Sequence, residues 1–167
     1  MKILVVRHGP AGDREEWART GKDDSLRPLT PKGKKEVRKA AAGLIQLVPA
    51  LDLIATSPWT RAAQTAEIVN QEYGVDLEEV EELTSDHRPE QLAPWLGRQN
   101  GHEAVAVVGH EPHLGLLVGY ILTGRSASLV DLKKGGACLI EMNDPSKPGT
   151  GCLEWLLTDR ELRRLGQ

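Results

Sequence analysis

Three short apolar runs, Lys2–Val6, Leu51–Ala55 and Ala104–Val108, show no alternation with polar residues. A strand with one wet face alternates, whereas one covered by helices on both faces does not, so these runs predict inner strands of a parallel sheet. Between the first two, Thr30-Pro31 offers an N-cap and a proline at the first helical position. Val37, Ala40, Ala41, Leu44, Ile45 and Val48 then recur at helical spacing, which makes a β-α-β unit. A second helix is expected to begin near Ser57-Pro58, capped in the same way, and to run to about Tyr73, with Ala62, Ala66, Val69 and Tyr73 in one stripe and Gly74 at its end.

Leu77–Val80 reads as a further strand, and Pro89–Arg98 as a short helix with Leu92, Trp95 and Leu96 inward. Pro112 can open a helix that buries Leu114, Leu117, Val118, Ile121 and Leu122 and closes at Gly124. The pattern then changes. Ala137–Met142 and Cys152–Leu157 flank a loop with Asp144-Pro145 and Gly149-Thr150-Gly151, which suits antiparallel strands along one edge, and Asp159–Leu165 adds a final helical turn or two. The expectation is a three-layer α/β/α sandwich with a mostly parallel central sheet and an antiparallel edge near the C-terminus.

A chain of 167 residues fits one domain, residues 1–167, with a substantial core. Its 40% hydrophobic and 27% charged residues are those of a folded, soluble protein and exclude disorder as the dominant state. The net charge of -3, with signs mixed, argues against a nucleic-acid binder. Neither a signal peptide nor a membrane-spanning run is apparent, so the expected location is the cytoplasm, with no membrane partner. Cys138 and Cys152 form no metal-type pair and lie in apolar stretches of a possible hairpin, where buried free thiols are expected. Phe is absent, which leaves core volume to aliphatic side chains and the occasional Trp.

Residues just beyond the C-terminal ends of parallel strands share one edge of the sheet. The three inner runs are followed there by Arg7-His8-Gly9, by Ser57-Pro58-Trp59-Thr60-Arg61 and by Gly109-His110, so two Arg and two His are expected to converge. Guanidinium forks match phosphate oxygens, and a helix N-terminus at Ser57-Pro58 would add backbone N–H groups, which points to a dianionic phosphoryl group. With one ring nitrogen free and the other proton held by a backbone carbonyl, His8 could attack phosphorus in line and form a covalent phosphohistidine. Gly9 would allow the close backbone approach this needs. His110 would serve best protonated, donating to a phosphoryl oxygen.

Other readings of these residues are blander. His110-Glu111-Pro112-His113 could seed a zinc site with His8, but Pro112 prevents the helical turn that presents two imidazoles side by side. His113 is expected at the surface, with the pocket rim as the alternative; His87 and His102 lie in polar stretches and are expected in solvent. Trp17 and Trp59 are candidates for pocket walls, whereas Trp95 and Trp155 read as core. The irregular stretch Pro10–Arg27 is either a substrate-facing loop or a solvated one. Lys32, Lys34, Lys35, Arg38 and Lys39 mark a solvated helix face that could also attract an acidic partner.

Taken together, Val6-Arg7-His8-Gly9, Ser57-Pro58-Trp59-Thr60-Arg61-Ala62-Ala63-Gln64-Thr65-Ala66 and Val108-Gly109-His110-Glu111-Pro112 resemble the histidine phosphatase (phosphoglycerate mutase-like) superfamily. Arg-Pro-Leu-Thr-Pro-Lys-Gly at 27–33 adds to the match, and the shortness of the chain resembles the SixA-type phosphohistidine phosphatases. The resemblance implies that His8 is the phosphorylated nucleophile, that Arg7, Arg61 and His110 form the phosphate pocket, and that no metal or organic cofactor takes part. Gly9 and Ser57 are expected with them among the phosphate-binding residues. Larger members place a glutamate as general acid after a strand preceding the third motif, and Glu82 is the most similar position here.

Leaving-group chemistry bears on substrate. An alkoxide needs a proton donor, because the alcohol's pKa is far above neutrality, whereas imidazole, with a pKa near 6.5, leaves with little help. Only about twenty residues separate Leu83 from Glu103, enough for an ordinary connection and one short helix but not for a large lid. The favoured substrate is phosphohistidine on a signalling protein. The alternatives are small-molecule phosphate monoesters on the same site, or a non-catalytic domain that binds phosphorylated partners.

Overall fold

Fifteen elements follow one another in the computed structural model, which describes residues 1–167. Strand β1 (Lys2–Arg7) leads through a short helix α1 (Arg14–Ala18) and a 3-10 turn (Asp24–Leu26) to the long helix α2 (Pro31–Leu47). Then come β2 (Leu53–Thr56), α3 (Thr60–Tyr73), β3 (Asp76–Glu79), two 3-10 turns (Glu81–Leu83 and Pro89–Leu92) and α4 (Ala93–Arg98). The chain closes with β4 (Ala104–Gly109), α5 (His113–Thr123), β5 (Ala137–Glu141), β6 (Cys152–Leu157) and α6 (Asp159–Leu165).

The strands form one sheet in the order β3-β2-β4-β1-β5-β6. β3, β2, β4 and β1 run parallel, and β5 and β6 add an antiparallel edge beside β1. Successive residues of β1 serve opposite faces: Leu4 and Val6 join a core layer with α2, α3 and α6, while Ile3 and Val5 join one with α4 and α5. This two-sided burial is why the inner strands carry no polar alternation. At roughly 1.5–3 kcal/mol for each large aliphatic side chain buried, the two layers supply most of the drive to fold.

Local chemistry sets the element ends. Thr30 caps α2 by accepting from the Gly33 N–H at 2.9 Å, with Pro31 in the first turn. Gly43 lets α6 lie directly on α2, since a Cβ there would stand 2.0 Å from the Leu162 carbonyl oxygen. Gly74 and Gly124 end α3 and α5 in the left-handed conformation that favours glycine.

Four expectations need correction. Helix α3 starts at Thr60 rather than at Ser57-Pro58, because Ser57 still belongs to the strand end: its N–H donates to the Val108 carbonyl at 2.9 Å. Cys138 is buried but Cys152 is exposed, since β6 is an edge strand with one face in water. Trp155 on the same strand is only half-buried, packing against the core from its rim. His113 is not a surface residue; it is 3% exposed on the inner face of α5. No helix is long and apolar enough to cross a membrane.

Candidate active site

Strand register brings the motif residues together. Arg7 pairs with Gly109 and Thr56 with Val108, so His8, Ser57 and His110 occupy the next positions on three adjacent strands. The ladder continues one step further, with the His8 N–H donating to the Gly109 carbonyl at 3.0 Å. A cleft of about 890 Å³ opens at this edge, and Arg7, His8, Arg61 and His110 all line it. Trp59 is also on its wall, 4.8 Å from the His110 ring and 4.9 Å from the Arg61 guanidinium.

His8 is buried, and its Nδ1 lies 2.7 Å from the Gly9 carbonyl oxygen. A carbonyl only accepts, so Nδ1 carries the proton and Nε2 keeps its lone pair. That Nε2 accepts from Arg61 Nε at 3.3 Å, which places a guanidinium beside the nitrogen that would attack phosphorus. Gly9 is itself fixed from two sides: its N–H donates to Thr65 Oγ1 at 3.1 Å, and a Cβ on it would stand 2.3 Å from a Val37 methyl group. A larger residue there would push the strand end off α2 and move the His8 ring with it.

Arg7 donates from Nη1 to the Leu132 carbonyl at 2.6 Å, while its buried Nε has no protein partner. His110 bonds Ser57 Oγ through Nε2 at 2.9 Å, and its Nδ1 is likewise buried without a partner. Ser57 and Gly9 do not line the cleft; they contact it through His110 and His8. The ring centroids of His8 and His110 are 5.2 Å apart, close enough for one tetrahedral oxyanion to touch both.

Burial, reinforced by Arg61 and Arg7, pushes His8 down to about 3 against the pull of the Gly9 carbonyl. Burial together with His8 and Arg61 pushes His110 down to about 2. Both rings are thus neutral near pH 7, as attack by His8 requires. For His110 this departs from the protonated form expected above. A bound dianion opposes the guanidinium charges and raises both values, so His110 would take up a proton together with the phosphoryl group.

The loop 10–27 contributes residues to the cleft that the sequence pattern did not single out. Asp24 reaches Arg61 twice, its carbonyl accepting from Nη1 at 2.8 Å and its carboxylate from Nη2 at 3.2 Å. The same carboxylate accepts from Arg27 Nε at 2.8 Å, and Arg27, also on the cleft wall, donates to the Gly12 carbonyl at 2.7 Å. The Arg27 and Arg61 charges hold Asp24 below the ordinary carboxylate range against the effect of burial. An entering phosphoryl group must therefore compete with Asp24 for Arg61. Asp24→Asn is expected to tighten orthophosphate binding about two- to fivefold, the worth of a partly exposed ion pair. Titration calorimetry reads this, and weaker binding by the variant would show that Asp24 assists the anion instead.

Other candidates fall outside the cleft. Trp17 does not line it but stands over an adjoining hollow with Lys22, donating from Nε1 to the Asp23 carbonyl at 3.0 Å. Glu82 sits in the 3-10 turn after β3 and is not on the cleft wall, whereas Ser85 and Asp86, from the next turn, are. Glu111 does line the cleft, but its carboxylate accepts from the Leu132 and Gly115 N–H groups at 3.0 and 3.2 Å, tying α5 to the segment that also holds Arg7.

Comparison with known proteins gives this geometry a family. Residues 3–87 match the model for the histidine phosphatase superfamily (branch 1). An uncharacterised protein of Picosynechococcus is 34% identical over 139 residues, covering 81% of this chain and 82% of the relative. Phosphohistidine phosphatase SixA of Escherichia coli (strain K12) is 26% identical over 167 residues, covering 98% of this chain and 97% of the relative. Among solved structures, the protein histidine phosphatase SixA complexed with tungstate superposes with a TM-score of 0.82 at 27% identity, covering 97% of this chain and 99% of that one. The family model and these whole-length likenesses place the chain in branch 1 of the histidine phosphatase superfamily, as a phosphatase of the SixA type.

Proposed function

We propose that this phosphatase hydrolyses phosphohistidine displayed on a protein, by way of a covalent phosphoryl adduct on His8. Nε2 of His8 attacks phosphorus, and the bond to the substrate nitrogen breaks with its electron pair going to the departing imidazole. Water then attacks the adduct, the pair of the P–N bond returns to Nε2, and orthophosphate leaves. Arg7, Arg61 and His110 hold the non-bridging oxygens through both steps, where charge redistributes.

The observation that carries the substrate choice is the state of the carboxylates. Asp13 accepts from the Glu16 N–H, Asp23 from the Ser25 N–H, Asp24 is ion-paired, and Glu111 accepts two backbone N–H groups. Each is therefore used as an acceptor. None of these four is arranged to hand a proton to a departing alkoxide, and Glu82 lies off the cleft, which leaves Asp86 as the one cleft carboxylate without a protein partner. Such a site favours a leaving group that departs without that help, and imidazole is one. The cleft mouth also suits a macromolecule, since Asp13, Asp23 and Asp86 on its wall are exposed and the connection from 84 to 103 is only a pair of turns and one short helix.

A substrate panel tests this. The kcat/KM for phosphohistidine on a carrier domain is expected to exceed that for sugar and nucleotide monophosphates by about 100-fold or more, the rate that a missing proton donor withholds from esters. A preference for any of those esters would overturn the assignment.

A further inference from the structure

Of the carboxylates on the cleft wall, Asp86 alone has no hydrogen-bond or ion-pair partner in the protein. It is exposed, on a turn whose neighbouring residues are hydrogen-bonded. Thr84, itself buried, is hydrogen-bonded through Oγ1 to His87 Nδ1 at 2.8 Å, and the Thr84 N–H donates to the Glu81 carbonyl at 2.9 Å. A carboxylate without a protein partner, on a hydrogen-bonded turn, thus lines the same cleft as His8, Arg61 and His110.

We infer that Asp86 is a specificity residue that recognises the N–H of a protonated nitrogen leaving group, and so selects phosphoramidates of imidazole over phosphate esters. The inference rests on the phosphohistidine reading above. Phosphorylation of one imidazole nitrogen leaves the other with a lone pair. If that distal nitrogen is unprotonated when the P–N bond breaks, the ring departs as an imidazolate anion, a poor leaving group. If it carries a proton, the ring departs as neutral imidazole, and no proton has to reach the nitrogen that loses phosphorus. A carboxylate accepting the distal N–H favours the protonated ring, because an opposite charge within hydrogen-bond reach stabilises the cationic form. No proton is transferred to or from Asp86 in this step; it holds the cation while His8 displaces it.

This role differs from that of a general acid. A general acid must be neutral beforehand, whereas Asp86 acts as an anion. An ester oxygen offers it no N–H, so an ester gains nothing from its presence. One unit of pKa on the distal nitrogen corresponds to tenfold in the protonated fraction at a pH above that value, which sets the size of the effect.

The test compares phosphoimidazole with p-nitrophenyl phosphate, whose leaving group departs readily but has no N–H to offer. In Asp86→Asn the ratio of the two kcat/KM values, phosphoimidazole over aryl ester, is expected to fall about tenfold. In Asp86→Glu, which restores the charge, the ratio is expected to move back toward that of the wild type. Turnover of the aryl ester reports that each variant is folded. A ratio that stays put in Asp86→Asn, whether both activities fall together or neither does, would overturn the role of Asp86 alone. A wild-type protein that turns over phosphoimidazole more slowly than the aryl ester would overturn the phosphohistidine reading itself, and the role of Asp86 with it.

Discussion

Asparagine in place of His8 is expected to lower kcat by a factor on the order of 10⁴ to 10⁶, the range seen when a covalent nucleophile is removed and its pocket left in place. The loss should fall on kcat and spare binding. Arg61 on α3 and His110 after β4 come from other elements, Arg7 is held from the end of β1, and their contacts to Asp24, Ser57 and the Leu132 carbonyl do not pass through His8. The asparagine amide can also donate to the Gly9 carbonyl, as His8 Nδ1 does now, which keeps the strand end closed. Tungstate affinity within about tenfold of the wild type, read by calorimetry, would show the pocket intact while turnover is lost. Retention of turnover within tenfold would mean that water attacks phosphorus directly and that His8 only binds.

Acidification is expected to unfold the protein early. Three histidines are held neutral by burial: His113 down to about 4, His8 to about 3 and His110 to about 2. In the unfolded chain each titrates near 6.5. Between that value and the folded one, the unfolded state binds protons that the folded state refuses, so stability present above pH 6.5 is lost as the pH falls. Each group contributes a slope of about 1.4 kcal/mol per pH unit, and three of them between pH 6.5 and 5 amount to about 5 kcal/mol, a large share of a typical domain's stability. Urea midpoints between pH 7 and 5 measure this. His113→Leu should flatten the slope by about a third, since it removes one of the three buried rings from the titration. Orthophosphate should protect against the remainder, because it lets His8 and His110 accept protons. A midpoint that does not move over this range would contradict the buried, neutral state of these rings.

The strand ends were legible in the sequence because inner parallel strands are covered on both faces, leave uninterrupted apolar runs, and deliver their next residues to one edge. Arg7, His8 and His110 follow from that rule, and Arg61 from the turn after the second run. The Asp24 contact was not legible. An acidic residue in a polar loop carries no periodic signal, and its reach to Arg61 depends on how residues 10–27 fold back over the cleft. Ser57 departs from its sequence pattern for a physical reason: a serine before a proline is a good N-cap, but here the strand ladder extends through its backbone and its hydroxyl serves His110. The burial of His113 does carry a sequence signal. This histidine stands four residues before Leu117 and eight before Ile121, on the stripe that α5 buries, and its polarity alone argued for the surface. The exposed Cys152 shows the reverse, an apolar stretch on an edge strand where only alternate residues are covered.

Trapping the intermediate tests the central claim most directly. With phosphohistidine on a carrier domain as substrate, and turnover quenched in alkali, mass spectrometry of the digested protein should find one added phosphoryl group on the peptide carrying His8. That group should survive alkali and be lost in acid, as a phosphoramidate is, and be absent from His8→Asn. Turnover without any adduct on the protein, or with the phosphoryl group on a residue other than His8, would contradict the account.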